Sequence, residues 1–255
     1  MPKVAIIAAI EREVHALTKN WARVQREHEG RTFTFFEQND VIVVCGGIGL
    51  ECARRAAEAV IALYHPALVE SVGFAGALDS ALRVGHILTP SVVIDARDGS
   101  RTQLASGGGT LVTFMAVAAA DQKRKLAQAY GACAVDMEAA AVAAAARAHG
   151  IAFGVTKVIS DELTFEMPEM ARFIGQDGRF KSASFIRFVA ARPWLWKRVA
   201  TLARNSHQAA RALAERLAIV PPLSSEELKP STHPAAGRIA APVAAVNRLP
   251  AEGRK

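Results

Sequence analysis

The chain of 255 residues carries 31 Lys and Arg against 24 Asp and Glu, a formal net charge of +7, and 51% of it is apolar. That length accommodates one large domain or two small ones with a sizeable core, and no uninterrupted apolar run approaches the ~18 residues of a membrane span. There is no zinc-finger spacing and no RNP-type aromatic motif to suggest nucleic acid. Cys45, Cys52 and Cys133, odd in number and without metal-ligand spacing, suit a reducing cytoplasm and point to inert core thiols.

In chain order, VAIIAAI (4–10) predicts a buried strand. Charges at Glu11, Arg12 and Glu13 end that run too early for a secretory leader, and no small-residue cleavage site follows. VIVVCGG (41–47) predicts a second strand, leading through a glycine turn into a helix over Ala53–Tyr64. LVESVGFAG (68–76), HILTPSVVI (86–94) and TLVTFMAV (110–117) predict further strands. The alanine-rich run Met137–His149 predicts a helix stopped by Gly150, and FGVTKVIS (153–160) a last strand. This alternation predicts an α/β fold, a sheet covered by helices on both faces.

Beyond it, Phe180–Leu217 reads as two helices broken near Arg192-Pro193. Residues 181–218 hold eight Lys and Arg against one acid, Glu215, a surplus of seven. An anionic membrane surface is one partner for such a segment; a solvated helix face is the plainer reading. Pro221–Lys255 is rich in proline and alanine, lacks periodicity, and is expected to be disordered. The expected division is a catalytic domain over 1–180, a basic helical appendage over 181–218 and a tail over 219–255.

Three carboxylates each follow a predicted strand: Glu13 after VAIIAAI, Glu138 after CAVDM and Asp161 after VTKVIS. Ligands of open α/β sheets bind outside the carboxyl ends of strands. Taken singly, each has a plainer role as a helix cap or as a first-turn acid offsetting the helix dipole, and Asp136 shares it. CGGIGLECARRA places Gly46, Gly47 and Gly49 between strand and helix, a turn able to offer backbone amides to an anion or a ribosyl group. It lacks the third glycine of the dinucleotide fingerprint. Gly73 and Gly76 in VGFAGAL permit close backbone approach.

The set in order is more specific than any member. IIAAIEREV, GGIG, SVGFAGALDSALRVGHIL, AVDMEAAAVA and VTKVISDE resemble the successive motifs of the nucleoside phosphorylase/nucleosidase superfamily, and most closely the 5′-methylthioadenosine/S-adenosylhomocysteine nucleosidases. The resemblance spans residues 3 to about 163, with a gap in the middle. It implies a three-layer αβα fold with a central mixed twisted sheet, and cleavage of the N-glycosidic bond of a 5′-modified adenine nucleoside without metal or organic cofactor. It also implies a homodimer or higher oligomer, which the cysteine usage would place in the cytoplasm. By the same resemblance Glu13 activates the attacking water, Glu138 holds the ribose hydroxyls with Met137 against the sugar, and Asp161 protonates the purine with Ser160 in support. Ile48 and Gly76 lie on the two glycine turns beside the substrate, and Phe114 matches the aromatic that stacks on the base.

These residue types fit that chemistry. Glycosidic cleavage builds positive charge on the sugar, and a purine leaves poorly as an anion, so an acid must protonate it as it departs. Asp161 therefore needs surroundings that favour its acid form, Glu13 surroundings that keep it ionised, and Glu138 places negative charge near the developing cation.

The chain also departs from the pattern. Phe74 stands where a small polar residue is usual, Ala77 replaces a glycine, Lys157 an arginine and Asp136 a glutamate. Only about forty residues separate Asp95 from Val135, fewer than is typical of the family, with ASGGGTL (105–111) reading as a loop in the shortened stretch. Residues 177–217, DGRFKSASFIRFVAARPWLWKRVATLARNSHQAARALAERL, are similar to the tail of the hopanoid-associated phosphorylases. That likeness implies adenosylhopane as an alternative substrate, with Phe185, Ile186, Val189, Trp194, Leu195 and Trp196 forming a greasy entrance or a membrane-facing surface; their plainer role is packing between two helices. A phosphorylase needs cations and amides around phosphate, for which Arg12, Arg54, Arg55 and the GGIG turn are the candidates.

Overall fold

The computed structural model describes residues 4–167 and 169–219; the expected tail lies outside them. The elements are, in order, β1 (Val4–Ala8), α1 (Glu11–Thr18), β2 (Ala22–His28), β3 (Arg31–Gln38), β4 (Val41–Cys45), α2 (Leu50–Tyr64), β5 (Leu68–Ala77), β6 (Ile87–Leu88), β7 (Val92–Asp95), β8 (Arg101–Gln103), β9 (Thr110–Thr113), α3 (Ala120–Tyr130), β10 (Ala134–Asp136), α4 (Ala139–Ala148), β11 (Ala152–Asp161), α5 (Ser182–Ala190) and α6 (Pro193–Ile219).

The strands form one mixed sheet in the order β2-β3-β4-β1-β5-β10-β9-β7-β8, with β11 branching from β5 and β6 pairing with β11. β5 is the pivot. Its first half lies parallel between β1 and β11, and its end, at Gly76 and Ala77, turns to pair antiparallel with β10. Side chains alternate across the pleat, so β1 sends Ala5 and Ile7 to one face and Ile6 and Ala8 to the other, all buried. On the first face they meet α2 and α4, whose small Ala53, Ala56, Ala57, Ala145 and Ala146 let helix and sheet approach closely. On the second they meet Val14 of α1 and Ala209 and Leu213 of α6. The result is the three-layer αβα arrangement around a mixed sheet.

The sequence reading missed β2 and β3, a hairpin at the edge of the sheet. β2 is largely exposed and reads as polar, and the two are joined by Glu29 and Gly30, both at positive φ (48° and 71°), a turn that suits the strand twist. The single strand expected over 86–94 is two, β6 and β7, which pair with different neighbours. α3 was also unforeseen. The appendage expected over 181–218 is only partly separate: Ala209 and Leu213 are fully buried against the sheet, because α6 is long enough to run from the rim of the molecule into its second helical layer.

Candidate active site

Five chain segments bring the candidate residues to one cavity of about 170 Å³ at the carboxyl ends of β1, β4, β5, β10 and β11. Glu13, Ile48, Gly76, Met137, Glu138, Ser160 and Asp161 all line it. Phe114 does not; it packs instead against the core cluster around Leu78, Ile94 and Val112. The aromatic residues at the cavity are Phe74 and Phe180. A larger, more open cleft of about 630 Å³, lined in part by Arg83, Glu162, Arg198 and Arg204, lies beyond the 162–166 segment and contains none of the three candidate carboxylates.

Glu13 is held by three backbone amides. Its Oε2 accepts from Ala9 and Ile10, each at 3.0 Å, and its Oε1 from Phe74 at 2.9 Å. The plainer role is therefore also filled, because Glu13 closes the first turn of its own helix. Reaching Phe74 ties α1 to β5, and Gly73, at φ 142°, leaves room: a Cβ there would come within 2.8 Å of Glu13 Oε1. Burial pushes Glu13 above the usual carboxylate range, opposed by the Phe74, Ile10 and Ala9 amides and by the Lys157 charge.

Glu138 Oε1 accepts from the Gly49 amide at 2.9 Å and its Oε2 from the Met137 amide at 3.2 Å. Burial raises it to about 7, with Asp136 and Glu13 adding repulsion while Lys157 and the Gly49 amide pull it down. Asp136 is scaffolding. Its Oδ1 accepts from Thr113 Oγ1 at 2.6 Å, its Oδ2 from the Ala139 amide at 2.8 Å, and Lys157 Nζ lies 2.9 Å from Oδ2. Lys157 is buried among three acids. Burial alone lowers it most, yet Asp136, Glu138 and Glu13 together hold it above the ordinary lysine value.

A bulge in β11 between Ile159 and Asp161, where it pairs with β5, turns Ser160 and Asp161 together toward the cavity. Ser160 Oγ donates to Asp161 Oδ1 at 2.7 Å. Asp161 Oδ2 is in addition ion-paired with buried Lys123 of α3, a partner the sequence reading did not name. Lys123 escaped the sequence reading. It sits 38 residues before its partner, in the shortened stretch that carried no motif; the only local signal is Leu126 one turn on, buried on the same helix face.

The GGIG turn is not an open anion cradle. Gly46, Gly47 and Ile48 donate their amides to Ala8, Ala9 and Gly178, and Gly49 donates to Glu138. Arg54 and Arg55 pair with Glu51 and Glu58 along the exposed face of α2, so of the three candidate arginines only Arg12 lines the cavity. Among the described residues no group of three or more His, Cys, Asp or Glu is placed to hold a metal ion. Cys45 is pushed up to about 12 by burial, then by the charges of Glu13 and Glu11, so its thiol is unreactive.

A mixed sheet with buried acids at its strand ends defines an α/β protein with a small-molecule site. A family model described as the phosphorylase superfamily matches residues 3–123 and 108–189, and the chain belongs to that superfamily. It is 35% identical over 94 residues to the 5′-methylthioadenosine/S-adenosylhomocysteine nucleosidase of Colwellia psychrerythraea, and 34% identical over 92 residues to that of Buchnera aphidicola. These matches cover 36% and 34% of this chain and 39% of each relative, so the chain spans well under half the length of the curated relatives it matches.

Among solved structures, it is similar to the futalosine hydrolase of Helicobacter pylori (16% identity, TM-score 0.63, 86% of this chain and 98% of that one). It is also similar to the 5′-methylthioadenosine/S-adenosylhomocysteine nucleosidase of Neisseria meningitidis in complex with methylthio-immucillin-A (17%, 0.63, 86% and 97%). At those identities the likeness shows the fold alone.

Proposed function

We propose that the protein hydrolyses the N-glycosidic bond of a 5′-modified adenine nucleoside and releases adenine, as the names of its nucleosidase relatives suggest. The observation that carries this reading is the convergence of Glu13, Glu138 and Asp161, from three separate strand ends, on one cavity. In it Glu13, fixed by three amides, takes a proton from the attacking water. Glu138 accepts hydrogen bonds from the ribose hydroxyls and sets negative charge near the oxocarbenium-like sugar, with Met137 against the ring. Asp161, steadied by Ser160, protonates the departing purine.

Water is favoured over phosphate because the four amides of the GGIG turn are engaged within the protein and Arg54 and Arg55 are paired elsewhere, which leaves Arg12 alone of the candidate cations at the cavity. The test is adenine release by the purified protein from 5′-methylthioadenosine, S-adenosylhomocysteine and adenosine, with and without phosphate. Release in buffer alone is the expected outcome; release only with phosphate makes the protein a phosphorylase. The proposed assembly is a homodimer, to be checked by light scattering.

A second reading, a lipid-bearing adenosine such as adenosylhopane, is favoured by the far wall of the cavity and by the exposed surface of α5 and α6. Met167, Met170, Ile174, Phe180 and Leu202 make that wall apolar. Nearby in sequence, Ile186, Trp194 and Trp196 stand 65%, 71% and 55% exposed on the basic helices α5 and α6. Phe185, by contrast, is buried with Phe173, Phe180 and Phe188, the packing role foreseen as the plainer one. Exposed tryptophans among cations suit a peripheral contact with an anionic membrane; among the described residues no helix is long and apolar enough to cross one. No release from the three soluble nucleosides by folded protein, with release from adenosylhopane, is the result that selects this reading.

A further inference from the structure

Lys123 is the one buried cation of the cavity that the preceding scheme leaves without work. Its side chain is 1% exposed, yet it lines the same cavity as Asp161. Its ammonium donates to Asp161 Oδ2, to the Glu162 carbonyl at 2.8 Å and to the Asp161 carbonyl at 3.4 Å. An ammonium has three donors, so none remains for a substrate, and whatever Lys123 does it does through Asp161. The approach has been given space: a Cβ on Gly76 would lie 3.0 Å from both Asp161 Oδ2 and Lys123 Cε. Burying a lysine costs free energy, and a purely structural pair is often replaceable by apolar packing without loss. A pair placed at the cavity wall, on the carboxylate that must hand over a proton, calls for a role.

Resting on the nucleosidase reading, we infer that Lys123 is a positioning residue and the proton source for Asp161. In the fold Asp161 accepts from both Lys123 and Ser160, so to act as an acid it must first receive a proton. When a purine fills the cavity and excludes water, separated buried charges become less favourable than a neutral pair. One proton moves from Lys123 Nζ to Asp161 Oδ2, leaving an amine and a carboxylic acid. That acid passes the proton to a ring nitrogen of the purine as the glycosidic bond breaks, and the bonding electron pair leaves with the base. Asp161 returns to carboxylate. The proton that Glu13 takes from water is lost to solvent, and solvent recharges Lys123, so the turnover balances as addition of one water across the bond.

The test compares two leaving groups. An adenine nucleoside needs a proton to depart; an N7-methylated purine nucleoside already carries the positive charge and departs neutral without one. Lys123→Gln keeps a hydrogen-bond donor but has no proton to release. Lys123→Arg keeps the charge and the ion pair but does not give up its proton near neutral pH, which guards against a variant that fails to fold. Both are expected to lose about 100-fold or more in kcat on the adenine nucleoside, the scale of general acid catalysis, and to stay within about threefold of the parent on the N7-methylated one. The inference is overturned if folded Lys123→Arg cleaves the adenine nucleoside like the parent, or if both variants lose both substrates equally. Failure of the underlying reading is distinct, because the unaltered protein would then cleave neither nucleoside.

Discussion

The floor of the cavity and the rim of the molecule at α5 and the start of α6 use charge in opposite ways. At the floor Glu13, Asp136, Glu138, Asp161, Lys123 and Lys157 are all buried, and each carboxylate is held by amides, hydroxyls or an ammonium. At the rim, α5 and the start of α6 leave two tryptophans and an isoleucine exposed among Lys and Arg. Buried charges persist only when partners fix them, so at the floor each protonation state depends on its neighbours. Exposed apolar groups beside cations are instead free to meet something outside the chain. Under the proposed function, the floor is assigned the chemistry, and the rim the contact with a partner or a lipid surface.

The largest effect should come from breaking the floor at Asp161. Asp161→Asn is expected to cut adenine release about 100-fold or more. It also strands the Lys123 ammonium, a loss of about 3–5 kcal/mol for one partner of a buried pair. Activity assays and thermal melts check both; near-parent activity would break the account of the floor.

A smaller effect sharpens the electrostatics. Glu138 titrates at about 7 in the fold against 4.5 ordinarily, so its ionised form costs stability above about pH 7. That cost fades as pH falls and is absent below 4.5, where the carboxyl is protonated in both states. Glu138→Gln should therefore melt several degrees higher than the parent at pH 8, with the gap closing by pH 4.5, while losing activity. A gap independent of pH would mean that the carboxylate is not strained in the fold.

The smallest effect concerns the rim. Replacing Trp194 and Trp196 together by Ala should reduce binding to anionic liposomes several-fold in a co-sedimentation assay, with adenine release from a soluble nucleoside unchanged. Equal binding would leave the exposed rim without a membrane role.

This contrast also explains what the sequence disclosed. Strands buried on both faces, such as VAIIA in β1 and VIVVC in β4, read as apolar runs, and the acids that follow strands read as candidates because the sheet must deliver its strand ends to one side. The β2–β3 hairpin stayed hidden because its outer strand faces solvent. Lys123 stayed hidden because its meaning lies in a partner 38 residues away, brought close only when α3 packs beside β10 and β11. Spacing marked the GGIG amides as available, but Ala8, Ala9, Gly178 and Glu138 had already engaged them, a long-range fact that no local motif records. Exposure at the rim was equally illegible, since an amphipathic helix reads the same whether its apolar face meets a core or a bilayer.

The most direct test of the central claim, that three carboxylates act on one nucleoside at this floor, is a crystal structure of the Glu13→Gln variant with 5′-methylthioadenosine. The account predicts ribose hydroxyls within hydrogen-bond distance of Glu138 and a purine ring nitrogen facing Asp161. A nucleoside seated in the neighbouring arginine-lined cleft of about 630 Å³, with its ribose away from Glu138, would contradict it.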